Sequence, residues 1–332
     1  MRVFLTHNPE DLQAYYGRAL PQLEALADVV KNPYNRDVTT AELIEAAAGC
    51  HVIVAHRATA GEAPLFGELP ELVAFLRCAV DISTVDVAAA SNNGVLVGHA
   101  EKSFVPSTAE LALALLLDTA RNVAASSIDY HNGTEPAQRP GRQLRNQTAG
   151  IIGYGAIGSY LAQLLVDVGM RVLVNDVRDV KVADGMDLVS FEELIGQSDA
   201  VFPLAPAMAS TTHMIDAGVL ANMRRGATLI NVSRGELLDE HAVAEAIDSG
   251  QLGALGMDVG WGPDQRPSPE LAARPNVVAT PHLGGLTPEN ADAQAASSVE
   301  QVAAMMAGQL PPRVVNGEHA LRLRSLWETS AS

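Results

Sequence analysis

The chain has 332 residues, 48% of them apolar and only 4% aromatic, with a formal charge of −17 at neutral pH. That length exceeds one ordinary core and points to two domains, and the apolar share argues against a disordered chain. The acidic balance makes nucleic acid and anionic membrane poor partners, although a local basic patch still suits one small anion.

The opening stretch MRVFLTHNPEDL lacks the long apolar core of a secretion signal, and Val3 to Thr6 reads as a first strand. Asp11 to Val29 has helical spacing, and His51 to Ala55 is a short apolar strand. Leu72 to Val80 reads as helix into strand, and Val95 to Val97 as another strand. This βα repetition predicts a parallel sheet, helices packing on both faces of it. Ser107 to Val123 reads as a long helix, apolar nearly all round, with Ser107 or Thr108 near its cap and Glu110 in its first turn. Both its sides are expected to be buried, one of them at a subunit interface. HNGTEPAQRPGRQLRNQ then reads as a polar surface excursion.

From Ala149 the pattern restarts. Strands are expected at Val172–Asn175, Ala200–Leu204, Thr228–Val232, Ala254–Asp258 and Val277–Ala279, with helices between them. The segment WGPDQRPSP, Trp261 to Pro269, has three prolines and reads as a loop. Pro288 to Ala307 reads as the last helix. No uncharged apolar run reaches the roughly 18 residues of a spanning helix. Cys50 and Cys78 sit among apolar neighbours and read as buried thiols of a reducing compartment, so a cytoplasmic location is expected.

The restart carries the first chemistry. Gly153, Gly155 and Gly158 form G-x-G-x-x-G between an apolar strand (Ile151, Ile152) and an apolar-periodic helix. A second strand ends at Asp176, 18 residues beyond the third glycine. Gly153 permits the tight turn, Gly155 lets a pyrophosphate approach backbone N–H groups, and Gly158 lets helix and strand pack closely. The helix N-terminus faces the phosphates. Asp176 suits the ribose hydroxyls of NAD and repels a 2′-phosphate, whereas nearby Arg178 tolerates one.

Three polar residues follow later strands: Arg234 in N-V-S-R-G-E, Asp258 in G-M-D-V and His282 in T-P-H-L-G-G. Residues at the C-terminal ends of parallel strands converge on the ligand crevice. There an Arg can fork onto a carboxylate and polarise a carbonyl, and a His can protonate a developing alkoxide.

With these motifs in place, the chain resembles the D-isomer-specific 2-hydroxyacid dehydrogenase family over nearly its whole length. V-D-V-A-A-A-S-N-N-G-V-L-V and P-S-T-A-E-L-A-L-A-L-L-L are similar to the family's crossover into its cofactor domain. G-R-Q-L-R-N-Q-T-A-G-I-I-G-Y-G-A-I-G, L-I-N-V-S-R-G-E-L-L-D-E and A-T-P-H-L-G-G are the most specific matches. The resemblance implies a Rossmann-type doubly wound parallel sheet over 102–285, binding NAD. It implies that this is inserted in a smaller flavodoxin-like α/β substrate domain over 1–101 and 286–332, with a cleft between them and a homodimer built largely on the cofactor domain. It implies that Ala156, Ile157, Thr108, Pro206, Thr212, Val232, Ser233 and Gly284 join the three glycines and Asp176 around the cofactor, with Asp258 by the nicotinamide. It further implies that Arg234 binds and polarises a 2-oxo acid, that His282 is the acid/base, and that main-chain groups around Val80 and Asp81 receive the substrate carboxylate. No metal is expected.

Two departures stand out. The family carries a Glu five residues after the Asp of G-x-D-V, bonded to the catalytic His; here that position is Pro263. Either Asp264 replaces it, or His282 works unaided or beside an amide. In R-C-A-V-D-I-S-T-V-D, Asp81 stands where the family has Gly, and Phe104 stands where it often has Asn. An acid beside a bound carboxylate needs a compensating cation, for which Arg57, His56, His99 and Lys102 are the candidates, or it points to solvent and contributes only its N–H. The expected activity is reversible, NAD-dependent interconversion of a 2-oxo acid and a D-2-hydroxy acid. Oxidation of formate or phosphite, and a non-catalytic NAD(H)-sensing role, are the alternatives.

Overall fold

The computed structural model describes residues 1–261 and 265–331. The chain divides into two compact units. A terminal unit joins Met1–Ser103 to Pro288–Ser332, and an inserted unit comprises Phe104–Thr287.

The terminal unit holds β1 (Arg2–Leu5), β2 (Asp28–Lys31), β3 (Val52–Ala55), β4 (Ala74–Arg77) and β5 (Leu96–His99). They form one parallel sheet in the order β2-β1-β3-β4-β5, the flavodoxin-like order. Alternate residues serve opposite faces. Val3, Leu5, Val52 and Val54 pack into one apolar layer, and Phe4, Ile53 and Ala55 into the other. Both faces are buried at β1, β3 and β4, which is why those strands read as apolar runs.

The inserted unit holds β6 (Thr148–Ile152), β7 (Arg171–Asn175), β8 (Met186–Leu188), β9 (Ala200–Pro203), β10 (Ala227–Asn231), β11 (Leu252–Met257) and β12 (Val277–Ala279). The order is β12-β11-β10-β9-β6-β7-β8, all parallel. Counted from β6 this is the doubly wound Rossmann order with a seventh strand added. The order reverses between β6 and β9, and ligands bind at the carboxyl ends of strands beside such a switch point. Close packing there depends on Gly150 in β6. A Cβ on it would lie 2.4 Å from Leu194 Cδ2 and 2.4 Å from Ser198 Oγ, on or next to the helix Phe191–Gln197.

Several elements differ from the expectations. Helical structure stops at Leu26, where Ala27 turns extended, and Val29 and Val30 belong to edge strand β2. A pair of β-branched residues favours the pleated conformation over another helical turn. The long helix runs Val105–Arg121, opening two residues early on Pro106 with no side-chain cap. Asn122 then enters the left-handed region (φ 56°) and a second helix follows, Val123–His131. Asp118 fixes that corner by accepting the Asn122 N–H on its carbonyl and the Ala124 N–H on its carboxylate. Only one side of the long helix is buried within the chain, and Leu117 is exposed on another. Strand β8, buried only at the first of its three residues, was not expected, and a helix absent from the expectations, Leu321–Ala331, follows Pro288–Met306. Among the described residues no single helix is long and apolar enough to cross a membrane.

Candidate active site

Strand β6 ends at Ile152, and Gly153 turns the chain with φ +102°. A Cβ at Gly153 would lie 2.9 Å from the Leu204 carbonyl, so the loops after β6 and β9 touch through bare backbone. Gly155 caps the helix Ala156–Asp167 in extended conformation, and no side chain bonds to the helix start. A Cβ built on Gly155 would meet nothing within 4 Å, whereas one on Gly158 would lie 2.0 Å from the Gly153 oxygen. The three glycines therefore answer three different demands. The N–H groups of Ala156, Ile157 and Gly158 head the helix facing open space, with the positive end of its dipole behind them. This cradle fits a dinucleotide pyrophosphate.

Asp176 follows β7, its side chain only 4% exposed. Its Oδ2 accepts the Tyr154 N–H at 2.7 Å, which ties the acid to the glycine turn. Its Oδ1 accepts the Arg178 N–H at 2.9 Å, and the Arg178 guanidinium forks across both oxygens at 2.9 and 2.8 Å. The Arg178 hydrogen bonds hold the Asp176 carboxyl well below the usual carboxylate range. Asp176 thus stands at the end of the second strand, tied to the glycine turn, with Arg178 already on it.

The catalytic candidates of this unit sit at the ends of β10 and β12, which flank β11. At sheet spacing the strands themselves are roughly 10 Å apart. Arg234 follows β10 in extended conformation, half-buried, with Nη1 on the Ser233 carbonyl at 2.8 Å. Asn231 holds the loop, donating to the Arg234 carbonyl at 2.8 Å and accepting the Ser233 N–H at 3.1 Å. Ser233 Oγ reaches the Ala205 carbonyl at 3.2 Å, joining this loop to the one after β9. Next to it, a Cβ on Gly235 would lie 2.2 Å from Gly260, so the loops after β10 and β11 also meet backbone to backbone.

His282 lies half-buried in the left-handed region, φ +61°, which a non-glycine residue adopts only when its surroundings impose it. Asp258 imposes it. This fully buried acid accepts Thr280 Oγ1 (2.6 Å) and the Leu283 N–H (2.7 Å) on Oδ1, and the Gly284 N–H (2.8 Å) on Oδ2. Its carbonyl accepts the His282 N–H at 2.9 Å, and buried Thr108 closes the far side by donating to the Gly284 carbonyl at 3.0 Å. Asp258, expected beside the nicotinamide, is engaged in the turn that presents His282. Val232 is buried, while Pro206 and Thr212 are exposed in the loop after β9, their loop closed by Thr211 and Thr212 hydroxyls on the Pro206 and Met208 carbonyls. Asp264, the expected partner of His282, lies outside the described residues.

In the terminal unit the corresponding edge is side-chain chemistry. Arg77, 3% exposed at the end of β4, staples two loops. It donates to the His56 carbonyl (3.2 Å), the Thr59 carbonyl, the Asp81 carbonyl (3.3 Å) and Thr84 Oγ1 (2.6 Å). Arg57 is exposed, Val80 is half-buried, and exposed Asp81 closes an Asx turn on the Ser83 N–H at 2.8 Å. His56 is buried, with Nδ1 3.6 Å from Asp11 and 4.0 Å from Asp37. His99 Nδ1 bonds the Ala100 carbonyl at 2.8 Å. His7, Tyr16 and Tyr15 pack their rings against one another or His56. Burial, aided by the neighbouring His56, pushes the His7 ring down to about 3, and burial lowers His56 too. The same burial, with Asp37 and Glu10 adding to it, raises Asp11. The Asp11, Asp37 and His56 ligand atoms lie within 4.8 Å of one another, the described set with metal-ligand chemistry, but His56 Nδ1 already accepts the Ala58 N–H at 3.4 Å. Sequence reasoning passed over His7, Asp11 and Arg77. The one local signal was a cation closing the apolar strand A-F-L-R.

Residues 113–284 match the family described as D-isomer specific 2-hydroxyacid dehydrogenase, NAD binding domain. The chain is similar to D-3-phosphoglycerate dehydrogenase of Mycobacterium bovis, 33% identical over 298 residues, which are 88% of this chain. It spans only 56% of that relative's length. Glyoxylate reductase of Korarchaeum cryptofilum is 30% identical over 284 residues, covering 83% of this chain and 86% of the reductase. Among solved structures, a Thermus thermophilus protein superposes with a TM-score of 0.82 at 30% identity, covering 95% of this chain and all of that one.

Proposed function

The chain belongs to the D-isomer specific 2-hydroxyacid dehydrogenase family, with NAD as its cofactor, and on that premise we propose that it interconverts a 2-oxo acid and a D-2-hydroxy acid. One observation carries the reading. The sheet edge that bears the glycine cradle also bears Arg234 and a His282 held in a strained conformation by a buried acid. When bound, the nicotinamide would supply hydride chemistry, a hydride for C2 of the oxo acid or its acceptance from the hydroxy acid. Arg234 orients the carboxylate and polarises the carbonyl with its fork of donors. His282 gives the oxygen its proton, so hydride and proton together convert carbonyl to hydroxyl. In the terminal unit, Arg57 and the N–H groups of Val80 and Asp81 are the proposed carboxylate contacts.

Asp264 is retained as the proposed partner of His282. A carboxylate there favours the protonated ring, so Asp264→Asn moves the acid limb of the oxidation profile to lower pH, and an unmoved profile removes Asp264 from the role. A homodimer is part of the proposal, supported by exposed Leu117, Val123, Ile128 and Tyr130 on the two consecutive helices. Buried free Cys50 and Cys78 support a reducing, cytoplasmic setting.

The test is a panel. NADH consumption is followed with glyoxylate, hydroxypyruvate, pyruvate and bulkier 2-oxo acids, and NAD reduction with 3-phosphoglycerate, formate and phosphite. Turnover of a 2-oxo acid, or of its hydroxy acid, supports the reading. Reduction of NAD by formate or phosphite alone replaces it with a different oxidation, and NADH binding without turnover on any of these replaces it with a sensing role.

A further inference from the structure

The bonds around Asp176 have a consequence for the adenosine end of the cofactor. A carboxylate offers about four lone-pair positions. Here all four are in use: Arg178 N–H and Nε on Oδ1, Tyr154 N–H and Arg178 Nη2 on Oδ2. A ribose diol therefore finds no open acceptor on Asp176 until the guanidinium withdraws. The guanidinium itself is held by one edge only. Nη2 also reaches the Tyr154 carbonyl at 3.2 Å, while Nη1 has no partner among the described residues on a side chain that is 62% exposed. A guanidinium fixed through Nε and Nη2, with both Nη1 donors turned to solvent, is a ready phosphate contact. The pair is also neutral overall, so it lacks the repulsion that an uncovered aspartate exerts on a phosphate.

We propose that the outer Nη1 group of Arg178 is a binding site for the 2′-phosphate of an adenosine ribose, so that the chain takes NADP(H) as well as NAD(H). Two poses of one side chain then set the balance. Laid on Asp176, Arg178 receives the phosphate; swung away, it uncovers Asp176 for the ribose diol. This rests on the cofactor of the family and not on the substrate reading, and its test contains no 2-oxo acid.

The test is calorimetric titration of the full chain, wild-type and Arg178→Ala, with NADH and with NADPH. The wild-type protein is expected to bind both. Arg178→Ala is expected to lose about tenfold or more in NADPH affinity, the worth of one charge-assisted contact, while binding NADH at least as tightly as before. Arg178→Lys, which keeps the charge but not the fork, falls between the two for NADPH. Absence of NADPH binding by the wild-type protein overturns the proposal. So does an Arg178→Ala variant whose preference between the two nucleotides is unchanged, because Arg178 is then only a surface ion pair.

Discussion

In the inserted unit, the sheet edge after β6, β10 and β12 is made mostly of backbone. Gly153 and Gly158 bring main chain against main chain, Gly155 leaves space above a helix start, and Asp258 clamps a turn through two N–H groups and a hydroxyl. In the terminal unit, the edge after β1, β3 and β4 is made of buried side chains: His7 and His56 ring on ring, and Arg77 spread over four acceptors. Backbone N–H groups do not titrate, so the glycine cradle they form keeps its charge across the ordinary pH range. The second edge contains groups that burial has moved far from their ordinary values, so acid acts on it first.

The sharpest division to test lies within the first edge, between holding the nucleotide and doing the chemistry. Arg234→Ala is expected to lower kcat/KM for the 2-oxo acid by about 10²–10³ while leaving NADH affinity unchanged. Equal loss of both would move Arg234 into the nucleotide cradle. Next come two glycines with opposite surroundings. Gly158→Ala drives a methyl group to 2.0 Å from the Gly153 oxygen and is expected to destabilise the unit by about 3 kcal/mol in urea unfolding. Gly155→Ala enters open space, so stability should change by no more than about 1 kcal/mol while NADH affinity drops. Similar stability losses at both positions would contradict the distinct roles given to them.

The second edge is tested by acid. The unfolded His7 ring takes a proton near pH 6.5, but the folded ring does so only at about 3. Folding stability tied to His7 is therefore intact above pH 6.5 and is lost on descending toward pH 3, by about 1.4 kcal/mol per pH unit. His7→Gln should flatten that slope in a series of urea midpoints; an equally steep slope would clear His7 of the effect. The smallest change in folding energy is expected away from both edges. Ile128→Glu, at an exposed helix position, should alter stability by no more than about 0.5 kcal/mol yet turn a dimer into a monomer in sedimentation. A mass unaffected by the substitution would remove that face from the interface.

The contrast between the edges also explains what the sequence made legible. Gly153 to Asp176 is one short stretch in which each demand of the backbone selects a residue type, so strand, turn, helix and acid could be read in a line. Arg234 and His282 each follow a recognisable strand. The job of Asp258 was not legible, because the three donors on its carboxylate lie 22 to 26 residues farther along the chain. The His7–His56–Arg77 edge was less legible still, since it is assembled from three strand ends with no spacing between them. Arg57 drew attention for its charge, yet it is exposed, and its neighbour His56 is the buried one. Because β3 is buried on both faces, alternation could not say which of the two turns inward. Edge strand β2 was hidden at the end of the helical spacing over Asp11 to Val29, and β8 has only its first residue buried, so neither shows the apolar run of the central strands.

The central claim is that His282 supplies the proton in a hydride transfer whose nucleotide is held elsewhere on the same sheet edge. Single-turnover NADH oxidation by wild-type protein and His282→Gln, with the best 2-oxo acid of the panel, tests it most directly. The variant is expected to be slower by about 10²–10⁴ with NADH affinity unchanged. A variant that oxidises NADH as fast as the wild-type protein would contradict it.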